Sequence, residues 1–150
     1  EAARELGRLF GKNSHNLVYG GGNIGLMGIL ADAVIQHQGE VIGVIPDFLL
    51  KREVGHKGIS KLEVVPSMHV RKKRMADLAH GFIAMPGGWG TLEELAEILT
   101  WRQLGIIRQP VGLLNINGFF EPLLEQMRLM VNEGFLKEAN LDLLHVEATP

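Results

Sequence analysis

The 150-residue chain contains no cysteine. That absence excludes disulfides, a thiol nucleophile and a thiolate metal site, and it suits a reducing, cytoplasmic location. An excess of one charge is also lacking: 15 basic side chains stand against 17 acidic ones, and a net charge of −2 gives no electrostatic footprint for nucleic acid. No apolar run approaches the roughly 20 residues that span a bilayer, so no membrane association is expected. The six histidines are scattered, and neither His56 nor His69 has a second ligand at a metal-binding spacing. No metal and no cofactor is assigned. Internal repeats, low-complexity tracts and linkers are absent from the sequence as well.

What the chain does have is apolar content, 46% of its residues. That is enough to bury one good core, and residues 1–150 are expected to form a single nucleotide-binding domain. The first residues, EAARELGRLF, read as the middle of a helix rather than a natural start. An N-terminal segment is therefore expected to be missing from the domain.

The stretch PGGWGTLEE, residues 86–94, organises the rest. The apolar run 82–85 precedes it and the periodic positions Leu92, Leu95, Ala96 and Leu99 follow, a pattern of strand, glycine turn and helix. Gly87, Gly88 and Gly90 let the backbone adopt positive φ and let a ligand approach the amides. Unpartnered N–H groups and the dipole at the helix start favour a phosphate there, with Thr91 as N-cap or hydroxyl donor. Glu94 falls in that same first turn, where a carboxylate is repelled by phosphate unless it points elsewhere. So placed, it suits chemistry on whatever carries the phosphate. The same residues also match a capping box, Thr91-x-x-Glu94, which needs no ligand.

A second unit of the same kind comes earlier in the chain. Residues 16–19 read as a buried strand, Gly20 to Gly25 as a glycine turn, and Met27, Leu30, Ala31, Val34 and Ile35 as one face of a helix ending near Gly39. Ala3, Leu6, Leu9 and Phe10 mark a helix before it. Further strands are expected at 41–45, 62–65, 110–114 and 143–146, and residues 47–60 as a mobile loop near the site. Strands alternating with helices predict a Rossmann-like α/β fold: a doubly wound, mostly parallel sheet with helices on both faces. Right-handed crossovers then bring Gly20 to Gly25, Arg71 and Glu94 to the carboxyl edge, where such sheets bind ligands.

In the helix expected over 68–79, positions 68, 71, 72, 75, 78 and 79 share one face, so Arg71 and Lys72 interrupt the apolar stripe of Met68, Met75, Leu78 and Ala79. Long cationic side chains can reach solvent from a stripe's edge. That explanation suits Lys72, Lys73 and Arg74 better than Arg71. Gly20-x-Gly22-x-x-Gly25 also satisfies the dinucleotide fingerprint, with Asp47 placed to hold a ribose. A dinucleotide, however, leaves the second glycine turn, Arg71 and Glu94 without a task. A mononucleotide undergoing chemistry at its sugar fits better. The nucleotide-binding candidates are Gly21, Gly22, Gly25, Met68, Arg71, Lys72, Gly87, Gly88, Trp89, Gly90, Thr91 and Glu94. Trp89 either stacks on a base or meets another subunit, Trp101 lines a pocket or an interface, and the Met and Phe residues of 119–131 form core or dimer contacts. His80 is expected to cap a helix C-terminus.

YGGGNIGLMG at 19–28, MHVRKKRM at 68–75, PGGWGTLEE at 86–94 and WRQLGI at 101–106 together resemble the Lonely guy family of cytokinin riboside 5′-monophosphate phosphoribohydrolases. Many bacterial members of that family were once labelled lysine decarboxylases. The resemblance covers nearly the whole chain and implies a Rossmann-like fold and, usually, a homodimer. It implies hydrolysis of the N-glycosidic bond of a nucleoside 5′-monophosphate, with adenosine 5′-monophosphate (AMP) or its N6-prenylated form as substrate. It also implies Arg71 and Glu94 as the catalytic pair and Gly87, Gly88, Gly90 and Thr91 as the phosphate cradle. The family's opening strand with its Ser- and Gly-containing loop is lacking, and Ile107 stands where histidine is common. No pyridoxal site is apparent. From another class, non-catalytic carriers of a nucleotide or of molybdenum cofactor, built on a similar fold, are the alternative.

Overall fold

Leu17 and Tyr19 are buried on one face of the short strand β1 (Leu17–Tyr19), the alternation that a strand lying on a core requires. The structure, a computed structural model, describes residues 1–51 and 55–150. The chain divides into two compact units, Glu1–Ala79 and His80–Pro150. All strand ladders are parallel, within a three-stranded sheet in each unit.

In the first unit β1 pairs with β2 (Val41–Pro46), and β2 with β3 (Lys61–Val65). Central β2 is buried everywhere except Ile42, which is why it reads as an unbroken apolar run, and its terminal position makes Pro46 tolerable. Helices α1 (Ala2–Lys12) and α2 (Leu26–Gln36) meet through small residues. A Cβ on Gly7 would press on Ala33 and come within 2.9 Å of the Leu30 carbonyl oxygen. Ala31 and Val34 join Leu17, Tyr19 and Val41 in the core, whereas Met27, expected on the inner face of α2, is exposed. The stretch expected as a loop contains one helical turn, α3 (Asp47–Leu50), across which Lys51 pairs with Asp47 at 2.6 Å. Arg52 and Glu53 of that stretch lie outside the described residues.

Helix α4 (Met68–Leu78) starts at Ser67, whose hydroxyl accepts the Val70 N–H at 3.3 Å. Its one fully buried residue is Ala76, off the expected stripe; Met68, Arg71, Lys72, Met75 and Leu78 are half-buried. Arg74 grips Glu63 of β3 through two hydrogen bonds of 2.7 and 3.0 Å, and Lys61 adds an ion pair at 2.8 Å. Hydrogen bonds from Arg74 and then Lys61 pull the Glu63 carboxyl from 4.5 down to about 2. A depressed carboxylate contributes stability above its unfolded pKa and loses it as pH falls through the folded one. The unfolding midpoint should therefore fall between pH 4.5 and 2, and fall less in Glu63→Gln; equal pH profiles for the two proteins would remove this clamp as the cause.

The second unit pairs β4 (Phe82–Ala84) with β5 (Val111–Leu114), and β5 with β6 (Leu144–Glu147). Helix α5 (Trp89–Gln103) follows β4 and α6 (Glu121–Asn132) follows β5. Leu95, Val111, Leu113 and Phe120 form the core. Of the Met and Phe residues of 119–131, Phe120 lies in that core, with Leu123 and Leu124 of α6 packed on it, whereas Phe119 and Met130 are exposed. Buried Asn115, which the sequence did not flag, orders the entry to α6 by accepting the Phe120 N–H at 2.8 Å and donating to Glu121 at 2.6 Å. No helix among the described residues is long and apolar enough to cross a membrane.

Candidate active site

Among the described residues, two helices begin differently from the other four. In α1, α3 and α6 a carboxylate occupies the first turn (Glu5, Asp47, Glu121), and α4 has its Ser67 cap. Helices α2 and α5 start at the glycine N-caps Gly25 and Gly88, with neither a side-chain cap nor an acidic residue in the first turn. The first N–H groups of a helix have no partners within it, and the dipole favours negative charge there. Both starts thus keep the features of an anion site.

In the first unit the turn leaves β1 at Gly20. Gly21 has φ +77° and Gly25 φ +67°, a backbone that L side chains rarely adopt. Gly21 is also closed in, since a Cβ there would lie 3.0 Å from Leu62 and 3.2 Å from Ile45. Arg71 reaches back from α4 to this turn. Its Nε donates to the Val44 carbonyl at 3.1 Å, its Nη1 lies 3.7 Å from Met68 Sδ, and its Nη2 occupies the space that a side chain on Gly20 would fill. The structure therefore brings Met68, Arg71 and the glycine turn together and turns Arg71 inward. Lys72 is half-buried beside it on α4. Gly22 bridges to Gly55, so part of the expected loop does meet the turn.

In the second unit the helix starts earlier than the sequence suggests. With Gly88 as N-cap, Thr91 is the third residue of α5 and is not its cap, which also excludes the capping box with Glu94. Glu94 is then the sixth residue, in the second turn and not the first, roughly 7 to 8 Å along the axis from Trp89. It is half-buried. None of Gly87, Gly88 and Gly90 has positive φ, so conformational freedom is not why they are glycine. A side chain on Gly87 would overlap the Thr91 hydroxyl, whereas nothing lies within 4 Å of where a Cβ on Gly88 or Gly90 would stand. The turn is open, and Thr91 Oγ1 faces its backbone. Trp89 is 88% exposed.

Other candidates settle differently. Asp47, expected to hold a ribose, is engaged by Lys51. His80 is exposed and lies beyond Ala79, the C-cap of α4. His56, passed over in the sequence except as a metal ligand, is 7% exposed and bonds to Asp32 at 2.9 Å. Among the described residues no cluster of three His, Asp or Glu side chains could hold a metal. The Tyr19 hydroxyl is buried without a hydrogen-bond partner, and burial, with the Asp32 charge second, pushes its pKa up to about 12. Leaving a buried donor unmatched costs about 1 to 3 kcal/mol, so Tyr19→Phe should raise stability by about 1 kcal/mol. A lower melting temperature in that variant would contradict this account.

Parallel strands that run through glycine turns into helices define the class of both units, a Rossmann-type α/β protein. A solved molybdenum cofactor binding protein from Rippkaea orientalis shares the fold, with a TM-score of 0.72 over 99% of this chain and 79% of that one, at 22% identity. The chain belongs to the family described as possible lysine decarboxylases, whose model matches residues 27–150. It is 51% identical over 138 residues to cytokinin riboside 5′-monophosphate phosphoribohydrolase LOG of Oryza sativa subsp. japonica, covering 92% of this chain and 57% of that protein. To the Arabidopsis thaliana phosphoribohydrolase LOG7 it is 49% identical over 136 residues, covering 91% and 63%. The chain thus spans about three fifths of the length of the curated relatives it matches.

Proposed function

We propose that this chain carries the working residues of a hydrolase that cleaves a nucleoside 5′-monophosphate to free base and ribose 5-phosphate. N6-prenylated AMP, which would release a cytokinin, is the preferred substrate class, and plain AMP the second. The observation that carries this reading is the start of α5: an uncapped glycine N-terminus, free of acid in its first turn, with a carboxylate one turn further on. The names of the relatives supply the substrate class.

In the reaction water gives its hydroxyl to C1′ of the ribose while the C1′–N bond breaks, its electrons leave with the base, and the water's other proton ends on the base nitrogen. Positive charge builds on the ribose in the transition state. Glu94 stabilises that charge, activates the water, or does both. The amides at Gly87, Gly88 and Gly90 and the Thr91 hydroxyl take the phosphate, and Arg71 orients phosphate or ribose hydroxyls with its fixed fork of donors. Binding the phosphate, remote from the broken bond, supplies positioning energy. Gly21, Gly22, Gly25, Met68, Lys72 and Trp89 complete the nucleotide contacts. On this reading residues 1–150 act as one nucleotide-binding domain, as a homodimer in the cytoplasm. Exposed Phe135 supports a partner, and the lack of cysteine supports a reducing compartment.

The test is product analysis after incubation of the full chain with AMP and, separately, with N6-isopentenyladenosine 5′-monophosphate. Free base and ribose 5-phosphate are expected, at relative rates that give the base preference. Tight nucleotide binding without product would favour the carrier reading, which otherwise rests on likeness of fold alone.

A further inference from the structure

His56 makes three hydrogen bonds from a nearly closed environment. Its ring Nδ1 accepts the Gly58 N–H at 3.1 Å, so Nε2 carries the proton and donates to Asp32 Oδ1 at 2.9 Å. Its backbone N–H donates to the Gly21 carbonyl at 3.1 Å, and Gly55 beside it bridges to Gly22. Two independent attachments therefore tie residues 55–58 to the first glycine turn. One is backbone to backbone at Gly21 and Gly22, and the other is side chain to side chain, onto the helix that the turn opens. Gly55 is suited to this approach, since a Cβ there would lie 2.6 Å from Leu50 and 3.2 Å from Leu62.

We propose that His56, held by Asp32, is a positioning residue that latches residues 55–58 onto the first glycine turn and so fixes the turn's backbone for its contacts with the nucleotide. The inference rests on the proposed function for its ligand, but the latch itself does not. Gly21 sits at φ +77°, where a glycine has more backbone freedom than any other residue when it is not restrained. Bonding its carbonyl to the His56 N–H removes that freedom before the ligand arrives, and preorganisation of this kind lowers the cost of binding. Asp32 acts as an acceptor here, a role that asparagine can also fill with its carbonyl oxygen.

The test uses the full chain in a Glu94→Gln background, which suppresses turnover, with AMP as the probe in calorimetry and amide exchange measured without ligand. His56→Ala and Asp32→Ala are each expected to weaken AMP binding about ten-fold, the worth of one hydrogen bond. The double variant should be no worse than either single one, and Asp32→Asn should stay close to the parent. The amide of residue 56 should exchange faster in both alanine variants while α2 keeps its protection. Asp32 is more than half exposed, so Asp32→Ala keeps the test open if His56→Ala fails to fold. Unchanged AMP affinity, additive losses, or unchanged exchange at residue 56 would overturn the proposal. If the parent binds neither AMP nor N6-isopentenyladenosine 5′-monophosphate, the proposed function falls and the nucleotide role of the latch with it; faster exchange in the variants then assigns that failure to the ligand and not to the latch.

Discussion

Turnover of a nucleoside 5′-monophosphate should drop by roughly 10²- to 10⁴-fold when Glu94 is replaced by Gln, the range that a positioned acid–base group contributes. Glutamine keeps the size of the side chain and an acceptor oxygen but loses the negative charge. What is lost is therefore the response to charge building on the ribose, and binding of the ground-state nucleotide should survive. The helix register supports this separation. Glu94 lies one turn beyond the uncapped start of α5, so the amides proposed to take the phosphate and the carboxylate belong to successive turns of one helix. Its removal should leave the amides as they are. Turnover and AMP affinity measured on the same preparation decide the matter: near-normal turnover takes Glu94 out of the mechanism, and loss of binding in step with turnover makes it a binding group.

The second large effect is expected at a residue with no chemistry of its own. In Gly20→Ala the new methyl group would overlap Arg71 Nη2 and stand 3.2 Å from its Cζ and 3.5 Å from Met27 Sδ. These are ends of long side chains, so the fold can yield there, but the guanidinium has to leave its place. Displacing an orienting group by about 1 Å can cost roughly 10²-fold in rate, and a loss of that order in kcat/KM is expected with the melting temperature little changed. Because the methyl group acts through Arg71, adding Arg71→Ala to Gly20→Ala should cost little more than Arg71→Ala alone. Full additivity, or normal activity in Gly20→Ala, would separate the turn from the arginine.

The periodicities of the chain carried most of the secondary structure. Apolar runs of three to six residues separated by 3.6-residue stripes led to parallel ladders with helices between them, and the glycine turns fell after β1 and β4 as expected. Arg71 was legible too, because a cation within an apolar stripe breaks the pattern, and its Nε does bond to β2. Helix α5 starts three residues earlier than Thr91 as N-cap suggests. Thr91 is a good N-cap by type, but the backbone enters the helix at Gly88, and Gly87 lets the Thr91 side chain fold against the turn. His56 gave no periodic signal at all; only its flanking glycines, Gly55 and Gly58, hinted at close packing.

The sequence by itself determined the alternation of strands and helices, the two glycine turns, and which residue types were available for charge and acid–base chemistry, since these depend on neighbours within a turn or a strand. Only the tertiary structure decided that Arg71 lies over Gly20, that Glu94 sits in the second turn of α5, and that His56 joins Asp32 to the Gly21 carbonyl. The long-range pairings depend on clearances of a single methyl group and on hydrogen bonds between residues 24 to 35 positions apart. The helix start depends on the backbone path through the turn. No local pattern encodes distances of that kind.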